Sequence, residues 1–111
     1  MTAQLLAALI AVESGNQADA IGDNGRAIGC LQIQKACLLD VNRVYGTNFR
    51  WPDDCFNRYL SGRICDLYLT HWCGAGASAE TMARTWAGGP KGPRKRATVK
   101  YWLKVKEKLS E

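Results

Sequence analysis

A chain of 111 residues and 12.2 kDa has room for one small domain around one core, and 47% hydrophobic with 23% charged residues excludes a disordered or fibrous chain. No apolar run reaches the roughly 20 residues of a membrane span, and Met1-Thr2-Ala3-Gln4 lacks the basic start of a secretory signal. The net charge of +5 is concentrated late in the chain. Lys91, Arg94, Lys95, Arg96, Lys100, Lys104, Lys106 and Lys108 are eight of the fifteen basic residues, against Glu107 alone in that span. Such an excess points to a polyanion (nucleic acid, a membrane surface or an acidic cell wall), the bland alternative being a solvated basic helix. No nucleic-acid-binding motif favours the first of these.

The first helix is expected to begin after Thr2, a suitable N-cap, and to stop at Gly15. Leu6, Leu9 and Ile10 precede Glu13 by seven, four and three residues, so this acid continues an apolar face in the last helical turn. Burial and the negative end of the helix dipole both disfavour its ionised form and raise its pKa, which suits a proton donor. The alternative is an exposed acid at a frayed helix end.

Glycines at 15, 22, 25 and 29 predict a compact loop and a short β-hairpin with Asp23-Asn24-Gly25 at its tip, where Asp23 stays wet and ionised. Two acids in contrasting surroundings suggest acid/base chemistry. Leu31 and Ile33 then alternate with Gln32 and Gln34 as in a strand, leaving Gln32 free to meet a ligand or to be merely hydrogen-bonded.

A second helix is expected over Lys35 to Tyr45, with Leu38, Val41 and Tyr45 on one face and Gly46 at its end. A third should run from Pro52 to about Trp72, its core stripe being Phe56, Tyr59, Leu60, Ile64, Leu67 and Tyr68, extended by a packed His71. Ser78 and Glu80 cap a short helix to about Trp86, which Gly88-Gly89-Pro90 breaks. Paired glycines there either stop the helix or let the main chain lie close to a ligand. A last helix, about Ala97 to Leu109, should turn Val99, Trp102, Val105 and Leu109 inward.

The cysteines, Cys30, Cys37, Cys55, Cys65 and Cys73, are odd in number and show no C-x-x-C spacing. This argues against zinc and favours buried thiols over a disulfide framework, with one or two bridges left open.

Glu13-Ser14-Gly15, the run GRAIGCLQI from Gly25 to Ile33, and ARTWAGGPKG from Ala83 to Gly92 followed by Val99-Lys100-Tyr101-Trp102 occur in an order that resembles the lysozyme superfamily, especially invertebrate-type lysozymes and the related lytic transglycosylase domains. The resemblance implies a mainly α, α+β fold with a short hairpin beside the catalytic helix, in a single domain over residues 1–111. It makes Glu13 the general acid and Asp23 its partner, with Gln32, Trp86, Gly88 and Gly89 binding substrate. Trp86 stands where relatives often carry Tyr or His, and Ala87 where they usually carry Asn. The implied reaction is hydrolysis of the β-1,4 bond between N-acetylmuramic acid and N-acetylglucosamine in peptidoglycan, without metal or cofactor.

Two alternatives accompany this expectation: a lytic transglycosylase using Glu13 alone, and a catalytically silent module that binds glycan or another polyanion. The expected partners are peptidoglycan strands and, through the basic C-terminal helix, anionic wall polymers. Nucleic acid is not expected, and the chain should act as a monomer on the bacterial wall. It would be made in the cytoplasm as a phage or bacterial lysin, or be a trimmed secreted domain.

Overall fold

In the computed structural model, which describes residues 1–111, helix α1 (Ala3–Ser14) starts where the Thr2 hydroxyl accepts the Leu5 N–H and ends where Gly15 turns left-handed at φ 62°. Arg58 then donates to the side chain and carbonyl of Asn16, pinning the exit of α1 to the start of a later helix. Strands β1 (Ile21–Gly22) and β2 (Ala27–Ile28) pair antiparallel, Ile21 opposite Ile28 and Gly22 opposite Ala27. Between them Asp23–Gly25 make a 3-10 turn in which Asp23 and Asn24 hold φ 52° and 56°, a conformation that these two residue types tolerate better than most.

Residues 31–34 are not the expected strand. Gly29, at φ 80°, and Gln32, at φ 52°, turn the chain so tightly that only Ile33 pairs, bonding reciprocally with Ile28. Leu31 and Ile33 are nevertheless buried, so the alternation correctly marked the inward side chains. Helix α2 (Lys35–Tyr45) matches its expected bounds, with Leu38 and Val41 buried and Gly46 left-handed at its end; Tyr45 lies at the surface.

The expected third helix is two elements. Asp53–Phe56 form a separate 3-10 turn, and α3 (Arg58–Cys73) opens at Asn57, whose side chain accepts the Leu60 N–H. Within α3 the buried residues are Ser61, Gly62, Ile64, Cys65 and Leu69. Tyr59, read as core, is 73% exposed, and His71 is exposed as well.

Helix α4 (Ala79–Gly88) is capped by Ser78 and followed by a loop, and α5 (Thr98–Leu109) completes the chain. The single O–H of buried Thr98 lies within hydrogen-bond reach of the Gly92 carbonyl at 2.7 Å and the Lys95 carbonyl at 2.8 Å, which sets the phase of α5. Val105 is therefore inward and Tyr101 and Trp102 half-buried, while Val99, expected inside, lies one residue beyond Thr98 on the open side. Helix α1 packs on α5, α5 on α4, α4 on α3 and α3 on α2. The shared core runs from Leu9 through Leu31, Leu38 and Ile64 to Leu69 and Val105. All five cysteines are free thiols. No helix is long and apolar enough to cross a membrane.

Candidate active site

A cleft of about 1100 Å³ separates two walls. The end of α1, the hairpin and the start of α2 contribute Glu13, Asp23, Gln32 and Gln34 to one side, and α4 with its following loop contributes Trp86, Ala87, Gly88 and Gly89 to the other. All six residues singled out in the sequence thus line one cavity, although they come from segments up to 76 residues apart, Glu13 to Gly89.

Glu13 is half-buried, and its Oε2 accepts a 2.7 Å hydrogen bond from the Tyr101 hydroxyl, which α5 delivers from the far end of the chain. Burial raises the Glu13 pKa above the ordinary carboxyl range, while the bond from Tyr101 acts in the opposite direction. Burial also raises the Tyr101 pKa, with the Glu13 charge adding to the effect, so the phenol keeps its proton and remains a donor. Asp23 stands at the exposed hairpin tip. Arg26 donates to its backbone carbonyl at 3.1 Å and lies 3.4 Å from its Oδ1.

Gln32 is held by its own turn, its side-chain amide donating to the Gly29 carbonyl at 2.9 Å. A methyl group on Gly22 would collide with the Gln32 side-chain oxygen, so the glycine there provides room for the glutamine. On the opposite wall the Trp86 ring stands edge-on to Tyr68, with centroids 5.7 Å apart. Lys95 donates to the Gly88 carbonyl at 2.7 Å, drawing the loop back over the end of α4. Burial pushes the Cys37 thiol up to about 12, so it lines the cleft as a neutral thiol at neutral pH. No three His, Cys, Asp or Glu side chains converge in a way that could hold a metal ion.

No protein-family model matches the chain. It is 32% identical over 88 residues to a lysozyme of the oyster Ostrea edulis, a match covering 75% of this chain. That match spans 62% of the oyster protein, less than two thirds of its length. Its fold superposes with a TM-score of 0.83 on a chain of the crystal structure of Aeromonas hydrophila PliI in complex with Meretrix lusoria lysozyme, at 25% identity, covering 96% of this chain and 89% of that one. Inhibitor-bound lysozyme from Meretrix lusoria gives 0.82 with the same identity and coverage. In sequence and in fold the chain is similar to these lysozymes. Its helices and two-stranded sheet form a small lysozyme-like α+β fold.

In this lysozyme-like cleft, sequence reasoning missed Tyr101 and Arg84. Tyr101 entered only as a letter in a matched segment. Its signal was helical spacing, four residues before buried Val105 on α5. Arg84 Nε donates to the Thr98 hydroxyl at 2.8 Å and Nη2 to the Lys95 carbonyl at 3.0 Å, bracing the loop that carries Gly88 and Gly89. Nothing in the residues around position 84 announces that reach, because both partners lie more than ten positions further on. Tyr68, expected in the core, also lines the cleft, as do Asp40 and Arg43 of α2.

Proposed function

We propose that residues 1–111 form one lysozyme-like domain that hydrolyses the β-1,4 bond between N-acetylmuramic acid and N-acetylglucosamine in peptidoglycan. The observation that carries this reading is Glu13, a half-buried acid with a raised pKa, held by Tyr101 at the edge of a long cleft that also contains Asp23. Glu13 in its protonated form gives a proton to the glycosidic oxygen as the bond to the anomeric carbon breaks. The Asp23 carboxylate then faces the oxocarbenium-like centre, as charge partner or as nucleophile. Water, deprotonated by the Glu13 carboxylate, completes the reaction with retained configuration and restores both groups. Gln32 and the Gly88-Gly89 backbone orient the sugar chain from the two walls, and Trp86 offers a ring face for stacking.

The pairing of Asp23 with Arg26 at the exposed tip favours a second reading, a lytic transglycosylase. Here Asp23 shapes its turn, and the muramoyl 6-hydroxyl replaces water as the attacking group. Clearing of cell-wall suspensions at low salt tests the shared step: Glu13→Gln should fold and lose about 10²-fold or more in rate. Near-normal lysis by that variant would falsify the assignment, and no clearing even by the wild type would make the chain a binding module. Product analysis then separates the two enzymes, a reducing end marking hydrolysis and a 1,6-anhydro end the transglycosylase.

A further inference from the structure

Tyr68 belongs to the cleft, yet it faces two ways. On one side its ring meets Trp86 of the cleft wall, and on the other it lies 6.5 Å from the ring of Trp72, which is outside the cleft on the last turn of α3. A second cleft residue reaches the same tryptophan: Asp40 Oδ2 accepts the Trp72 indole N–H at 2.8 Å, while Oδ1 pairs with Arg43. His71 stands edge-on to Trp72 at 4.7 Å, and Tyr45 edge-on to His71 at 6.4 Å. Trp72 is 40% and Tyr45 39% exposed.

We propose that the glycan track continues past the cleft over Trp72 and His71, which form a further platform for pyranose rings with Asp40 and Arg43 at its edge. A pyranose has a face of C–H bonds and a rim of hydroxyls. Such a ligand calls for an exposed aromatic face beside fixed donors and acceptors, and this surface provides both. The platform is also pre-ordered. The hydrogen bond to Asp40 fixes the indole before any ligand arrives, so little side-chain freedom remains to be lost on binding. Continuity with the cleft selects the occupant, since the two residues that hold Trp72 already line the groove assigned to the polymer.

This extension rests on the peptidoglycan reading, and the experiment keeps the two apart. Binding of chitooligosaccharides of increasing length is measured by calorimetry on Glu13→Gln protein, with and without Trp72→Ala. Affinity should rise with length. Trp72→Ala should weaken the longest oligomers about threefold to tenfold, from the loss of one aromatic contact, and leave the shortest ones unchanged. Equal weakening at every length would mean that Trp72 merely supports the cleft, and no weakening at any length would mean that the track ends at Tyr68; either result overturns the proposal. Failure of even short oligomers to bind the Glu13→Gln protein would remove the function reading and the extension together. If Trp72→Ala does not fold, His71→Ala with Tyr45→Ala, both surface side chains, is measured in its place. Its affinity for the longest oligomers should fall about twofold to threefold with the short ones unchanged, and the same two contrary patterns count against the platform.

Discussion

A carboxyl that is to donate a proton near neutral pH must be kept from ionising too early, and at Glu13 two opposed influences set that point. Burial lifts its pKa, and the Tyr101 hydroxyl, which favours the charged form, limits the rise. Tyr101→Phe removes the opposing influence and leaves the burial. The descending limb of the pH–rate profile, where Glu13 loses its proton, should therefore move to higher pH in the variant, with a lower rate from the looser side chain. An unmoved limb would show that Tyr101 only packs.

The same raised pKa bears on stability. Between the ordinary carboxyl pKa and the raised one, the folded chain binds more protons than the unfolded chain, so Glu13 makes the fold less stable as pH rises through that window. Glu13→Gln should flatten this slope and melt no lower than the wild type at neutral pH. Urea unfolding of both proteins from pH 4 to 8 measures the difference.

At the scale of elements, the cleft depends on how α4 is joined to α5. The connecting loop has little apolar surface of its own and is held by polar bonds from Arg84 and Thr98. Gly92 lies so near the Arg84 carbonyl that a side chain there would overlap backbone, while a methyl on Gly88 would come within 2.6 Å of the Thr98 methyl. Thr98→Val keeps the shape and strips the hydroxyl, leaving the Gly92 carbonyl without its buried donor. The expected cost is about 1–3 kcal/mol in urea unfolding. Lysis should fall further than stability alone explains, because Gly88 and Gly89 lose their position across from Glu13. A stability loss with intact kinetics would mean that the loop is held by its glycines and not by Thr98.

At the scale of the whole molecule, the basic residues are concentrated in the last part of the chain. The cations of the last helix are exposed, and among them stands the exposed Leu103. We expect this face to hold the protein on anionic wall polymers, in which case clearing of whole walls weakens as salt shortens the Debye length below about 10 Å. Lys95 is unsuited to a test because it also braces Gly88 within the cleft. Reversal of Lys100, Lys104 and Lys106 to glutamate should slow lysis of walls and spare a soluble chitooligosaccharide. Equal losses on both substrates would assign the helix to the fold or the cleft.

What the sequence by itself determined is mostly local. Thr2 and Gly15 bound α1, Lys35 to Gly46 bound α2, and Asp23-Asn24-Gly25 is a turn, because caps and left-handed turns depend on a few adjacent residues. Glu13 was legible as an unusual acid for the same reason, its apolar neighbours lying on its own helix. Tertiary structure decided whatever depends on partners distant in the chain. Asn57 restarted α3 and separated Phe56 from its stripe, packing of α3 left Tyr59 and His71 outside, and Thr98, tied to Gly92, set the phase of α5 against Val99. Helical periodicity carries no record of where a helix is reset. Tyr101 reaches Glu13 across 88 positions, and Trp72 reaches Asp40 across 32. Such contacts arise only when helices pack, so the chain could announce its acid but not the hydroxyl that holds it.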